Sequence, residues 1–238
     1  MVTSGQEEVV EPLIYSSKPG VDPLRVRLLP AVNAAVIVAH PDDETLWAGG
    51  MILAHPDYNW FIATICRKND PDRSHKFFLV LQSYGATGAM ADLDDGPDQI
   101  PLSSKDIQHT LLELLPPLAF DLILTHAPGG EYTRHRRHEE VSQAVMVLWQ
   151  AGAISARELR MFAYDDDHGK RLPKAIEAAH HYEILPEMIR QEKYRLITEL
   201  YGFSPESWEA RGVPQSEAFW CFESPSALQA WLEELRKD

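Results

Sequence analysis

Short runs of apolar residues, spaced along the chain, constrain its fold more than any other feature. Runs rich in branched side chains lie at 34–39, 60–66 and 121–126. Such runs are typical of strands that are buried on both faces of a parallel sheet. Segments with a helical pattern lie at 44–55, 73–84 and 138–149. Strands and helices in this alternation predict a Rossmann-like α/β fold, with a mostly parallel sheet and helices on both faces.

The alternation continues toward the C-terminus. Further helices are predicted at 103–115, 186–201 and 227–236, and further strands at 159–164 and 218–222. Gly85 suits the C-terminal cap of the helix at 73–84. His180 and His181 lie in an alanine-rich stretch, which indicates a helix with a solvated face. There is no internal repeat and no low-complexity linker, so one domain accounts for these elements.

The length of the chain, 238 residues, fits one large domain with a core of its own. Residues 1–30 contain four prolines and are predicted to form an extended N-terminal arm. The single domain then spans 31–238. The first residues lack the basic and apolar regions of a signal peptide. No window approaches the roughly 20 apolar residues of a membrane-spanning helix.

An excess of acidic residues bears on the partners of the protein. The chain has 22 Lys and Arg against 36 Asp and Glu, which gives a net charge of −14. Because phosphate binding requires clustered basic residues, nucleic acid is not expected as a partner. The two cysteines, Cys66 and Cys221, lie far apart, which indicates reduced thiols and a cytoplasmic protein. We expect a small-molecule substrate and no insertion into a membrane; formation of a homo-oligomer is left open.

Polar motifs follow two of the predicted strands. His40-Pro41-Asp42-Asp43-Glu44 comes directly after the run at 34–39, and the pair His135 and His138 follows the run at 121–126 after a glycine-containing loop. In open α/β sheets, ligands bind outside the carboxyl ends of the strands, where neighbouring connections diverge. If the two strands are neighbours, both motifs face one crevice.

These residue types suit a catalytic zinc site, which takes three nitrogen or oxygen ligands and keeps one position open. His40 and Asp43 are three apart in a tight turn and can reach one ion, to which His138 adds a third ligand. Zinc lowers the pKa of a bound water to about 7. Asp42 is then a candidate general base. His135, one helical turn before His138, is a candidate for stabilising the oxyanion as an imidazolium, or for protonating the leaving amine.

Other interpretations of the same residues remain open. Asp42 or Asp43 can cap the following helix, and Pro41 fits a helix start, so the first motif alone indicates capping as well as metal binding. Two histidines and a carboxylate also form the iron site of non-haem oxygenases, although the alternation of strands and helices argues against that class. A third alternative is a non-catalytic binding module for a small ligand, which would have no need of Asp42.

The motif at 39–44, after its apolar strand, resembles the signature of the LmbE-like, or PIG-L, N-acetylglucosaminyl deacetylase family. The pair His135 and His138, followed by Val141, Ala144 and Val145, is similar to the second motif of that family, and the resemblance extends over about 34–164. It implies a Rossmann-like fold, one zinc ion, and hydrolysis of the acetyl group of N-acetylglucosamine conjugates. Some relatives act on other amides.

The resemblance also implies roles by position. It implies three zinc ligands, which are His40, Asp43 and His138. It implies a general base, Asp42, and an electrophile or acid, His135. Two further residues are implied to contact the substrate: Arg73 the sugar hydroxyls, and Tyr132, in a mobile loop, the oxyanion.

The chain departs from the family pattern at two places. Arg136 and Arg137 stand where the family often has Pro-Asp, which bears on the pKa of His135 and on the substrate. Lys76 stands where an acidic residue is expected, which changes the charge on that side of the pocket. Near these motifs, the acidic turn at 92–96 is predicted to be solvated and able to border the pocket, and His126 to be a hydrogen-bonded structural residue.

Overall fold

The computed structural model describes residues 31–132 and 134–237. The predicted N-terminal arm, 1–30, lies outside the described residues. The strands are β1 (Asn33–Val38), β2 (Asn59–Thr64), β3 (Thr87–Met90), β4 (Phe120–Thr125), β5 (Ala156–Phe162), β6 (Tyr164–Asp165), β7 (Lys174–Ala175), β8 (His181–Ile184) and β9 (Ser216–Phe222). The α-helices are α1 (Asp43–Ala54), α2 (Pro71–Tyr84), α3 (Ser104–Leu114), α4 (Arg136–Gln150), α5 (Glu187–Arg195), α6 (Trp208–Gly212) and α7 (Pro225–Leu235).

A seven-stranded sheet organises the domain, in the order β3-β2-β1-β4-β5-β9-β8, and β6 pairs with β7 separately. β1 to β5 are parallel, whereas β9 is antiparallel to β5 and to β8. The predicted α/β class, with a mostly parallel sheet, is therefore confirmed. The chain leaves β1 toward β2 and β3 and then returns to β4 on the other side of β1. The carboxyl ends of β1 and β4 consequently form the switch point where ligands bind in such sheets.

Alternation along β1 explains why helices cover both faces of the sheet. Ala34, Val36 and Val38 join an apolar core with residues of α1 and α2, whereas Ala35 and Ile37 join a second core with residues of α3, α4 and α7. Burying one such branched side chain contributes roughly 1.5–3 kcal/mol. Two cores that share one strand hold the end of β1, and hence the motif after it, in a fixed position.

Some elements differ from the sequence prediction. The helix predicted at 186–201 is α5 up to Arg195 and continues as a π-helical turn, Leu196–Leu200. His181 lies in β8 instead of a helix, because its segment pairs with β9. β3 and α6 were not predicted, since each is short and has no apolar run. The cap at Gly85 is confirmed by its left-handed backbone, with φ 67°.

Within the described residues, none of the helices combines the length and the apolar character that crossing a membrane requires.

Candidate metal centre and active site

The predicted site residues meet at the carboxyl ends of β1 and β4. The amide of Ala39, just after β1, donates a hydrogen bond to Nε2 of His126, just after β4, over 3.0 Å. A pocket of about 270 Å³ opens beside this junction. Of the residues singled out from the sequence, six line it: His40, Asp42, Asp43, Arg73, Tyr132 and His135. The seventh, His138, is fully buried behind them.

The carboxylate of Asp43 is the centre of the turn between β1 and α1. Its Oδ2 accepts the backbone N–H of His40 at 2.9 Å and lies 3.2 Å from Nδ1 of the same residue. Its Oδ1 accepts the indole N–H of Trp47 at 3.1 Å and lies 3.3 Å from Nε2 of His138. Asp43 therefore joins His40 to His138, as the metal-site prediction requires.

Glu131, a buried residue that the sequence analysis did not single out, orients two histidines. Its Oε2 lies 2.6 Å from Nδ1 of His138 and 2.8 Å from Nδ1 of His126, and its Oε1 accepts the N–H of Ala127. A carboxylate in this position holds the proton on Nδ1 and leaves Nε2 of His138 free to bind a metal. Nε2 of His126 already accepts the amide of Ala39, so His126 has a hydrogen-bonded structural role, as predicted.

Unpartnered ring nitrogens distinguish this cluster. Among the described residues, six buried side-chain nitrogen or oxygen atoms lack a hydrogen bond, and three of them are His40 Nε2, His135 Nδ1 and His138 Nε2. Potential ligand atoms of these three histidines lie within 4.8 Å of one another, as do those of Asp43, His126 and His138. Because buried polar atoms are nearly always satisfied, such a cluster suits a bound cation. The donor set, imidazole nitrogens and one carboxylate, fits zinc.

Electrostatics also favour positive charge at this position. Burial would raise the pKa of Asp43, but the charge of His138 outweighs it and holds that pKa well below its usual range. Burial would lower the pKa of His138, but Asp43 and Glu131 raise it to about 10. Burial is outweighed at Glu131 as well, where His126 and His138 lower the pKa to about 2. Two buried carboxylates thus attract a cation, which is either the proton on His138 or a metal ion.

The backbone of Asp42 is strained and its side chain is free of capping. Asp42 has φ 113° and lies at the N-terminal cap of α1, yet its side chain makes no capping hydrogen bond. A non-glycine residue in this region costs about 1–3 kcal/mol and persists only where its surroundings enforce it. Here Oε2 of the buried Glu44 accepts the N–H of Asp42 at 3.0 Å, and the hydroxyls of Thr45 and Tyr201 donate to Oε1. The capping alternative therefore does not describe Asp42.

The charge environment of Asp42 suits a base that operates near neutral pH. Burial, followed by the neighbouring charge of Asp43, raises the pKa of Asp42 well above its usual value. Arg73 moderates this effect, with Nη1 at 3.3 Å from Oδ2 of Asp42. The guanidinium of Arg73 is itself held over the ring of Phe203, 4.5 Å from the centroid. Arg73 therefore lies against the candidate base in the pocket.

His135 stacks on His138, with ring centroids 4.4 Å apart. Burial, together with the nearby His138 and His40, lowers the pKa of His135 to about 3. The resting form of this ring is thus neutral, and the imidazolium expected from the sequence is disfavoured. A neutral imidazole can still donate its N–H to a developing oxyanion.

Aromatic side chains form one wall of the pocket. The ring of Tyr132 lies 5.8 Å from that of His135 and 4.7 Å from that of Trp208 at the start of α6. Burial raises the pKa of Tyr132, which keeps its hydroxyl protonated and able to donate. Trp208, which also lines the pocket, was not singled out from the sequence because α6 lies far along the chain.

Neither departure from the family pattern places a side chain among those that line the pocket. Arg137 is buried and donates to the backbone oxygens of Asp94 and Ile100, so it holds the acidic turn at 92–96. Asp95 of that turn lines the pocket, as the turn was predicted to be able to do. Lys76 pairs with Asp72 at 2.6 Å and is not among the residues that line the pocket.

Comparisons with known proteins relate the fold of the chain to that of several solved structures. No family model and no curated sequence matches the chain. Among solved structures, the chain is similar to N,N'-diacetylchitobiose deacetylase from Pyrococcus horikoshii, with a TM-score of 0.63 and 14% identity over 82% of this chain and 85% of that one. It is similar to a teicoplanin deacetylase in a zinc-inhibited form, with a TM-score of 0.57 and 12% identity over 81% and 99%.

An enzyme with another activity has a similar structure. The chain resembles 4-carboxy-2-hydroxymuconate hydratase from Pseudomonas putida KT2440, with a TM-score of 0.57 and 14% identity over 80% of this chain and 95% of that one. Likeness at these identities shows the fold alone, and one fold can serve several reactions. The chain therefore has the fold of the deacetylases of the LmbE/PIG-L type, as the resemblance of its motifs implied.

Proposed function

We propose that this protein is a metal-dependent amide hydrolase that removes an acyl group, acetyl in the leading form, from an N-acetylglucosamine-type conjugate or a related small-molecule amide. One observation carries the proposal. Ligand nitrogens of His40, His135 and His138 lie within 4.8 Å of one another, Asp43 lies against His40 and His138, and the strained, uncapped Asp42 lines the same pocket. The deacetylases among the structural neighbours support the reaction class.

The metal would be held by His40, Asp43 and His138. Zinc in such a site acts as a Lewis acid toward a carbonyl and lowers the pKa of water to about 7. Glu131 fixes the tautomer of His138 so that Nε2 faces Asp43, which is the arrangement that a ligand histidine needs. His135 stays outside the ligand set in this proposal and faces the substrate.

The protein side chains divide the proton transfers between them. Asp42 accepts a proton from the attacking water, and its raised pKa lets it return that proton to the amine as the C–N bond breaks. The neutral ring of His135 and the hydroxyl of Tyr132 donate hydrogen bonds to the oxygen on which negative charge develops. Arg73 keeps the Asp42 carboxylate oriented until the substrate binds.

The lining of the pocket supports a sugar-like substrate. Arg67, Arg73 and Asp95 offer charged donors and acceptors for hydroxyl groups, and Trp208, which lines the same pocket, offers an aromatic face. Its volume, about 270 Å³, is at the lower end for ligand sites and suits an acylated monosaccharide unit. Localisation in the cytoplasm stays a prediction from the sequence.

The alternatives are less well supported. The alternation of strands and helices, which the sequence analysis took as an argument against a non-haem iron oxygenase, is present in the parallel sheet. A pure binding module would not need a strained aspartate beside the ligand set. Hydration, the activity of one structural neighbour, adds water to a carbon–carbon double bond and releases no amine, so products distinguish it from hydrolysis.

The test is acetate release from a panel of N-acetylglucosamine conjugates by the zinc-loaded protein. We expect release by the wild type and a fall of about 10²–10⁴-fold in Asp42→Asn, the range that general acid–base catalysis supplies. The exposed Asp57 provides the matched control, because Asp57→Asn makes the same change far from the pocket and should keep full activity. Equal activity in Asp42→Asn would contradict the role of the base. If the wild type hydrolysed none of the N-acyl substrates, the proposed reaction class would be contradicted.

A further inference from the structure

A second group of potential metal ligands lies on the other side of His40, toward β2 and β3. It consists of His40, Cys66 and Asp95, whose ligand atoms lie within 4.8 Å of one another. Cys66 follows β2, and its amide donates to the carbonyl of Ala39 at 3.1 Å, which holds it beside the turn that carries His40. Asp95 arrives from the loop after β3. The parallel order β3-β2-β1 therefore brings the three residues together.

The ring of His40 presents one nitrogen to each side. Nδ1 lies 3.2 Å from Oδ2 of Asp43, and the buried Nε2 lies 3.2 Å from Oδ1 of Asp95, with which it forms an ion pair when the ring is protonated. The other oxygen of Asp95, Oδ2, accepts from Arg67. Oδ1, the oxygen that faces His40, also accepts a hydrogen bond from Nε2 of Gln99 at 3.0 Å.

Cys66 makes this group chemically different from the candidate centre. Buried cysteines commonly act as small apolar side chains, but this one lies beside an imidazole and a carboxylate. A thiolate, an imidazole and a carboxylate are all ligands that zinc and cobalt accept, and the soft sulfur favours such ions over magnesium or calcium. Burial raises the pKa of the Cys66 thiol, so without an ion the sulfur is protonated and inert.

We propose that His40, Cys66 and Asp95 form an additional, thiolate-containing metal site, which binds Zn²⁺ or Co²⁺ and shares His40 with the candidate catalytic centre. When the ion binds, the sulfur–metal bond forms and the thiol proton passes to solvent, as it does whenever a metal takes a cysteine ligand. Because a neutral imidazole serves one ion at a time, this site competes with the candidate centre for His40. The proposal rests on the positions of these residues and does not depend on the hydrolase activity.

The experiment is a titration of the metal-free full chain with Co²⁺ alone, followed by near-ultraviolet absorbance. A cobalt–thiolate bond gives a charge-transfer band that nitrogen and oxygen ligands do not give. We expect the band in the wild type and its loss in Cys66→Ser. The chain has two cysteines, so Cys221→Ser is the matched control and should keep the band.

Two more variants keep the test decisive if Cys66→Ser folds poorly. Asp95→Asn leaves the thiol in place and should weaken Co²⁺ binding by at least about tenfold. Even mutations of residues that only orient the metal ligands lower metal affinity by that much. Asp43→Asn removes the carboxylate ligand of the candidate centre, while the amide oxygen can still accept the backbone N–H of His40, so it should keep the band, with equal or tighter binding. No band in the wild type, a band that survives Cys66→Ser, or unchanged affinity in Asp95→Asn would each overturn the proposal. Loss of the band in Asp43→Asn would overturn it as well, because Cys66 would then belong to the candidate centre.

Discussion

Two buried polar clusters flank helix α1, and they differ in how completely their hydrogen bonds are satisfied. At the start of the helix, the histidine cluster (His40, His135 and His138) contains three unpartnered ring nitrogens. Farther along, the buried pair of Lys193 and Glu217 leaves none of its polar atoms among those without a partner in the described part of the chain. The comparison distinguishes a polar pair that stabilises the fold from a polar cluster that is available to bind a ligand.

The lysine–glutamate pair forms hydrogen bonds with the backbone of α1. Nζ of Lys193 donates to the carbonyl of Leu46 at 3.1 Å, and Glu217 accepts the amides of Gly50 and Met51 at 2.6 and 2.8 Å. Gly50 is required at this point, since a Cβ there would lie 2.8 Å from the Glu217 carboxyl carbon. The pair thus anchors α1 to α5 and β9, while the histidine cluster faces the pocket.

The largest expected effect is on stability, at the satisfied pair. Lys193→Met leaves the Glu217 charge buried and uncompensated, so we expect the free energy of unfolding to fall by about 3–5 kcal/mol. Urea denaturation measures this change. The double variant Lys193→Met with Glu217→Leu removes both charges and should recover most of the loss. A single variant as stable as the wild type would show that the pair does not anchor α1.

The next effect concerns Glu44, which accepts the backbone N–H of Asp42 at the first turn of α1. Glu44→Ala removes the acceptor that holds the strained Asp42, and misplacing a catalytic group by about 1 Å can cost about a hundredfold. We expect kcat to fall by about ten- to a hundredfold while KM changes little. Glu44→Gln keeps an acceptor oxygen and should restore most of the turnover. Equal kcat values for the wild type and Glu44→Ala would contradict the positioning role.

A smaller, graded effect is expected for zinc affinity as a function of pH. Zinc must displace a proton from His138, whose pKa is raised from 6.5 to about 10 in the metal-free protein. Because the pKa of His138 is higher in the folded protein than its ordinary value, a proton on this ring competes with zinc at every pH between the two values. Above a pH of about 10 the ring is neutral and the competition disappears. Apparent affinity should therefore rise by up to about tenfold per pH unit between these values. Calorimetric titration at several pH values measures the slope, and a flat profile would exclude His138 as a ligand.

The smallest effect is expected for the stability of the metal-free protein when an unpartnered ring is removed. His135→Ala breaks no hydrogen bond of Nδ1. We expect its free energy of unfolding to stay within about 1 kcal/mol of the wild type, in the range of substitutions that remove no network contact. Urea denaturation without metal measures it. If His135→Ala lowered the free energy of unfolding as much as Lys193→Met does, the proposed difference between the two clusters would be contradicted.

The sequence predicted the part of the site that local pattern encodes. The run at 34–39 predicted β1, and the polar residues after it predicted His40, Asp42 and Asp43 at a strand end, where the structure has them. The pair His135 and His138 was predicted to face them, and the pairing of β1 with β4 brings them there. The apolar pattern of each strand, and the position of the polar residues that follow it, were sufficient to predict these site residues.

Residues that reach the site through longer connections were predicted in part or not at all. The acidic turn at 92–96 was predicted to be able to border the pocket, but Asp95 itself was not singled out, because its position depends on the short strand β3. Trp208 was not predicted, because its position depends on the C-terminal segment folding back over the pocket. Glu131 lies five residues after His126, and its role appears only when both histidines are in place. A glutamate seven residues before a histidine, as Glu131 is before His138, does not match a recognised motif. Lys193 and Glu217 were likewise hidden, because a buried ion pair looks like surface charge in a sequence.

The most direct test of the account is zinc binding to the metal-free protein, measured by elemental analysis after dialysis, in a Cys66→Ser background so that only the candidate centre contributes. We predict retained zinc in that background and its loss when His138→Ala is added. His109 is an exposed histidine, so His109→Ala should leave the zinc in place. If the protein retains no zinc, or if His138→Ala retains as much as His109→Ala, the unsatisfied histidine cluster is not a metal centre.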